Sequence, residues 1–180
     1  AEAFAKRGAN VTLISGPVNL ITPKNVNRIN VISAQDMWQA SLESAAKNQI
    51  FIGCAAVADY RVAEIADQKI KKSGDEISIK LIKNPDIISD VGHLKTHRPF
   101  TVGFAAETQN VDDYAKDKLE RKNLDMICAN DVSGGQVFNA DENALQLFWK
   151  NGHKKLSLKS KVELAADLVN EIIERYQKTL

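Results

Sequence analysis

Short apolar runs alternate with amphipathic stretches along most of this chain. Residues 11–15 (VTLIS), 27–33 (NRINVIS), 50–55 (IFIGCA), 100–106 (FTVGFAA) and 125–130 (DMICAN) read as strands, bounded by turn-forming or charged residues. Gly16-Pro17 and Thr22-Pro23 make the first connection a loop rather than a helix. Ser33 and Asp36 cap a helix running to about Lys47, with Met37, Ala40 and Ala45 on its inner face. Asn84-Pro85-Asp86 opens a helix with the proline near its first position. Residues 114–122 form a charged helix, and Ser160 with Glu163 makes a capping box for a last helix over 160–176. On that helix Leu168, Ile172 and Tyr176 share a face. The alternation Glu76-Ile77-Ser78-Ile79, continued by Leu81-Ile82, predicts a half-exposed strand. Residues 144–149 and 155–158 predict a hairpin around Asn151-Gly152.

Strands alternating with helices define an α/β domain with a mostly parallel, doubly wound sheet, to which the late hairpin adds antiparallel edge strands. There is no internal repeat. Residues 1–7 read as the end of a helix with Gly8 as its C-cap, followed at once by a strand. Such a helix normally follows a strand and a loop, so the pattern predicts a first strand upstream of Ala1.

The 180 residues amount to one domain, and the net charge of +1 supplies no global field for nucleic acid or a membrane surface. No apolar run approaches the roughly 18 residues of a membrane span. Residues 1–10 are too short and too charged for a secretory leader. Cys54 and Cys128 both lie in apolar strand-like runs, which suits buried thiols in a reducing cytoplasm better than a disulfide.

The chemistry-bearing residues gather at predicted strand ends. After Ile50-Phe51-Ile52 the chain turns small, through Gly53, Cys54, Ala55, Ala56, Val57 and Ala58, to Asp59. An open α/β sheet places ligands in this crevice, outside the carboxyl ends of its strands. Lys69, Lys71 and Lys72 follow on a polar segment, where compact cations can meet phosphate oxygens. Together these features point to a nucleotide triphosphate site; they read equally as a tight turn beside a solvated basic patch. Lys83-Asn84-Pro85-Asp86 offers a helix start whose free N–H groups attract anions, or plain capping. Gly103-Phe104-Ala105-Ala106-Glu107 repeats the strand-then-small-then-acid pattern, and Phe104 reads as a stacking residue or a core residue. Lys118 and Lys122 lie four apart, on one helical face. Asn130 ends a strand, and residues 132–143 after it read as a lid or a passive loop. His93, His97 and His153 show no metal spacing, and neither a Walker pattern nor G-x-G-x-x-G occurs.

In combination RGANVTLISGPV, IFIGCAAVADYR, KIKK, KNPDII, VGFAAET, KNLDMICANDV and the F-N-x-x-x-N-x-L-x-L-F-W stretch at 138–149 resemble phosphopantothenoylcysteine synthetase over essentially the whole chain. Each motif alone is weak; the set is specific. The resemblance implies a Rossmann-like domain that joins 4′-phosphopantothenate to cysteine in coenzyme A synthesis through an acyl-cytidylate, with CTP as co-substrate and Mg2+. In bacteria the domain usually follows a flavin-dependent decarboxylase in one polypeptide, so FMN belongs to a fused domain and not to these residues.

By the same resemblance, Lys69 is the catalytic lysine placed on the triphosphate. Asp59 meets the ribose or the magnesium shell. Gly53, Cys54, Ala55 and Ala56 form a backbone wall near nucleotide and carboxylate, with Ala55 and Ala56 also facing the substrate. Lys83, Asn84, Pro85, Phe104, Lys118 and Lys122 complete the nucleotide pocket. Asn130 and the loop after it resemble a flap over phosphopantothenate. A homodimer formed through KIKK and the following strand is implied. Cys54 is not a nucleophile, because the family chemistry passes through an acyl-phosphate. The family's glycine-rich turn and N-x-S-S-G stretch precede the point where this chain starts, so part of the site is expected to lie upstream. A non-catalytic nucleotide-binding module and a flavin- or nicotinamide-binding oxidoreductase are the competing classes; pyrophosphate release with all three substrates separates them.

Overall fold

In the computed structural model, residues 1–72, 74–107, 111–131 and 142–180 are described. The chain runs α1 (Glu2–Lys6), β1 (Val11–Ser15), β2 (Val26–Asn30), α2 (Ala34–Ala45), β3 (Ile50–Gly53), β4 (Tyr60–Val62) and β5 (Leu81–Lys83). It continues through α3 (Ile87–Gly92), β6 (Phe100–Glu107), α4 (Val111–Arg121), β7 (Met126–Asp131), β8 (Glu142–Trp149), β9 (Gly152–Ser160) and α5 (Lys161–Gln177). The main sheet has the order β3-β6-β7-β8-β9. Its first three strands are parallel and β8 and β9 are antiparallel additions, the α/β arrangement the pattern predicts.

Period-two alternation along β7 explains the two layers. Met126 and Cys128 face one side, with Val102 and Leu147, and pack against Leu164, Leu168 and Ile172 of α5. Ile127 and Ala129 face the other side, with Ala105 and Phe148, and pack against Ala115 and Leu119 of α4. Ile88 of α3 packs on this second cluster. The sheet is therefore covered by helices on both faces. Tyr176 of α5 meets Phe100 edge-on, with ring centroids 6.1 Å apart.

β1 and β2 form a separate parallel pair. Among the described residues, β1 and β3 each keep one edge without a strand partner. α2 packs on β1 and α3 and is capped as expected. The Ser33 hydroxyl accepts from the Asp36 N–H at 3.1 Å, and the Asp36 carboxylate accepts from the Ser33 N–H at 2.9 Å. At α5 the box is only half made: Ser160 Oγ accepts from the Glu163 N–H at 3.3 Å, but the Glu163 carboxylate takes the Ser160 hydroxyl, not its N–H.

Three sequence expectations shift. The strand expected over 76–82 contracts to 81–83, because Ile77 and Ile79 are 67% and 60% exposed and find no strand beside them. Its partner is the unexpected β4, antiparallel, with Val62 opposite Leu81. Pro85 stands before the cap of α3 rather than inside the helix, since Asp86 is the N-cap and accepts from the Ser89 N–H at 3.2 Å.

Candidate functional site

The parallel strands β3, β6 and β7 lie side by side in register, Gly53 beside Gly103 and Ala106 beside Asn130. Their carboxyl ends therefore open onto one crevice, the ligand position of a doubly wound sheet. The glycines serve packing as well as approach. A Cβ at Gly53 would stand 2.7 Å from Ile88 Cδ1, and one at Gly103 would stand 2.7 Å from Leu124 Cδ1. Their bareness lets α3 and the chain before β7 lie close on the sheet.

Beyond Gly53 the segment of Cys54, Ala55, Ala56 and Asp59 is exposed. Cys54 departs from the buried position expected of it, because β3 ends one residue earlier. Cys128 is buried as expected, and burial pushes its thiol pKa well above the ordinary value. The exposed segment is held from behind. The Asn84 N–H donates to the Asp59 carbonyl at 2.8 Å, and Asn84 Nδ2 donates to the Ala58 carbonyl at 2.8 Å. One terminal nitrogen of Arg61 donates to the Lys83 carbonyl at 2.8 Å and to Asn84 Oδ1 at 3.1 Å. Asn84 is only 7% exposed, and its amide is engaged at both ends by the chain.

Pro85 and Phe104 are half-buried, with Phe104 packed on the core cluster of Val102 and Cys128. Besides capping α3, Asp86 pairs with Lys122 Nζ at 2.9 Å. Lys122 lies just past the end of α4, and its side chain is 19% exposed. Lys118 is half-buried on α4, Asn130 is half-buried at the end of β7, and Lys83 is exposed at the end of β5. Lys69, Lys71 and Lys72 are exposed on the long connection between β4 and β5. The structure thus gathers Gly53 to Asp59, Lys83 to Asp86 and Lys122 into one connected group. Most of the loop expected to act as a flap, together with Thr108, lies outside the described residues.

Sequence reasoning passed over Arg61. In the structure, of Tyr60-Arg61-Val62 the cation alone is not exposed, which the sequence does not signal. A depression of about 420 Å³ lies elsewhere, lined by Gln49, Pro99, Phe100 and Asp125 at the amino ends of β3 and β6. The sheet's topology favours the opposite end for a ligand.

Helices on both faces of a parallel sheet, with an open crevice at its strand ends, define a Rossmann-like α/β domain. Residues 1–176 match the model of the DNA/pantothenate metabolism flavoprotein C-terminal domain, and the chain belongs to that family. It is 96% identical over 180 residues to the coenzyme A biosynthesis bifunctional protein CoaBC of Haemophilus influenzae, a match covering 100% of this chain and 45% of that protein. The protein of the same name from Escherichia coli is 57% identical over 182 residues, covering 99% of this chain and 45% of its own length. The crystal structure of a CoaBC C-terminal domain is similar at a TM-score of 0.82 and 34% identity, covering 99% of this chain and 80% of that one. The chain spans less than half the length of these curated relatives.

Proposed function

We propose that this domain is a phosphopantothenate–cysteine ligase that uses CTP in coenzyme A synthesis. The observation that carries the reading is the largely exposed segment from Cys54 to Asp59 at the carboxyl end of the parallel strand β3, held by Asn84. The motif set and the CoaBC relatives support it.

In this reading a carboxylate oxygen of phosphopantothenate attacks the α-phosphorus of CTP. The bond to the bridging oxygen breaks, and pyrophosphate leaves with its electron pair. The cysteine amine then attacks the acyl carbon, CMP leaves, and the amine proton passes to solvent. Negative charge grows on the departing pyrophosphate, and preorganised cations lower that barrier. Lys69 is assigned this task, with Lys118 and Lys122 on the nucleotide phosphates. The backbone of Gly53 to Ala56 flanks the reacting carboxylate, Asp59 meets the ribose or the magnesium shell, Phe104 packs near the base, and Asn130 borders phosphopantothenate.

Magnesium fits this donor set. The ion usually takes one or two carboxylates plus substrate phosphates. Asp59 is an exposed carboxylate that would hold it, and among the described residues no closed cluster of three protein ligands competes. When bound, the ion would neutralise phosphate charge. The greater length of the CoaBC relatives accommodates a fused decarboxylase half, where FMN would belong. A homodimer through the β4–β5 arm, located in the cytoplasm, completes the proposal.

The test is pyrophosphate release by the full-length protein. It should require CTP, phosphopantothenate and the intact crevice together, with peptide-bond formation following on addition of cysteine. CTP binding without pyrophosphate release would overturn the ligase reading in favour of a non-catalytic nucleotide module.

A further inference from the structure

We propose that Arg61 and Asn84 are positioning residues for the nucleotide site, acting through the backbone of Ala58 and Asp59, so that Asn84, expected from the family resemblance to line the pocket, shapes it rather than binds the nucleotide. The proposal rests on the reading of this crevice as a nucleotide site. Consecutive carbonyls, those of Ala58 and Asp59, are both held by Asn84, one by its side chain and one by its backbone N–H, each at 2.8 Å. The peptide that carries the Asp59 side chain is thereby fixed from beneath, while the side chain itself stays exposed.

The amide of Asn84 can do this only in one orientation. An amide presents donors at Nδ2 and acceptors at Oδ1, and a flip would set Oδ1 against the Ala58 carbonyl, oxygen facing oxygen. Arg61 decides the orientation, because a guanidinium only donates and its nitrogen lies 3.1 Å from Oδ1. The same nitrogen bonds the Lys83 carbonyl at 2.8 Å, so the residue also ties down the end of β5. At 7% exposure Asn84 has little water to replace a lost partner. Within the segment itself the Val57 N–H reaches the Ala55 carbonyl at 3.1 Å, a local turn that does not anchor it to the sheet. The anchor is the Arg61–Asn84 pair.

The experiment compares Arg61→Gln, Arg61→Lys and Asn84→Asp with the wild type, all as full-length protein. It reads KM for CTP, KM for phosphopantothenate, kcat and the unfolding temperature. Arg61→Gln is expected to raise KM for CTP about tenfold while KM for phosphopantothenate and the unfolding temperature stay near the wild-type values. Arg61→Lys should recover most of the loss, because both bonds come from one nitrogen and an ammonium brings three donors on a chain one atom shorter. Asn84→Asp keeps the shape but removes the donor to Ala58, and carries the same expectation if Arg61→Gln does not fold. An unchanged KM for CTP in these variants overturns the proposal. So does a parallel rise in both KM values with loss of thermal stability, which marks a merely structural role. If the wild type releases no pyrophosphate, the ligase reading fails on its own, and calorimetric CTP affinity of the same variants then decides the positioning claim. A wild type that binds no CTP overturns both.

Discussion

Among the described glycines, Gly92 has the least room for a side chain. A Cβ there would stand 2.2 Å from the backbone carbonyl of Lys122, whereas at Gly53 the obstacle is the far end of Ile88. Backbone cannot yield as a side-chain tip can. Gly92→Ala is therefore expected to cost about 3 kcal/mol, and Gly53→Ala about 1 kcal/mol. Denaturant midpoints would check both, and Ile88→Val should restore the second variant and leave the first unrescued. Lys69 presents the opposite case, an exposed residue to which the proposed function gives a chemical task. Lys69→Gln is expected to slow acyl-cytidylate formation by about 3 kcal/mol of barrier. Its cost to stability should be about 0.5 kcal/mol or less. Single-turnover pyrophosphate release at saturating CTP, beside a melting curve, measures the contrast. The family resemblance puts Asn84 and Asp59 in one expected pocket, but nothing in the sequence shows that Asn84 is buried beneath the segment. Burial depends on β4 meeting β5 across a long connection, and no local pattern encodes that meeting.

At the scale of elements, α2 carries a legible signal with a pH consequence. The N–H and hydroxyl of Ser33 hydrogen-bond to Asp36 and hold its carboxyl pKa below the ordinary value. A depressed folded-state pKa adds stability that is present above the unfolded value, about pH 4. That stability is lost as the pH falls through the folded value. Asp36→Asn should lower the urea midpoint at neutral pH, and the difference from wild type should close as the solution is acidified below the ordinary carboxylate range. A gap that stays constant down to pH 2 would refute the assignment. The other helices and the five main strands were also readable, because period and capping are local properties of the chain. The β4–β5 pair was missed because its strands are only three residues each. The single alternating stretch nearby, 76–79, misdirected the strand boundary: its isoleucines point to solvent.

Across the whole molecule, those isoleucines have company. Tyr60, Ile65, Ile70, Ile77, Ile79 and Leu81 are all exposed, Ile65 at 86%, and all lie between residues 60 and 81. Large apolar side chains concentrated in one arm mark an interface more readily than scattered ones do. Ile77→Asp combined with Ile79→Asp is expected to convert a homodimer into monomers in sedimentation at micromolar concentration while the domain stays folded. A wild type that sediments as a monomer would remove the basis for the proposed dimer. Sequence alternation located this arm, but which surfaces meet is a property of paired chains and is not written in one chain's periodicity.

The order of pairing in the main sheet has a kinetic consequence. The β8–β9 hairpin joins near neighbours, with Trp149 opposite Gly152, and α5 follows it directly. The pairing of β3 with β6 sets Ile50 against Phe100, across half a hundred residues of chain that must first be brought to closure. Contacts between near neighbours are favoured in a folding transition state, and remote parallel pairing is slow. Leu145→Ala should mainly slow refolding, whereas Ile52→Val should mainly speed unfolding, a difference that stopped-flow chevron plots detect. Equal partition of the two effects would refute the order. Because the segment from Cys54 to Asp59 hangs from the end of β3, this order would complete the proposed nucleotide crevice last, and a refolding chain would hold a finished hairpin and helix before the crevice exists.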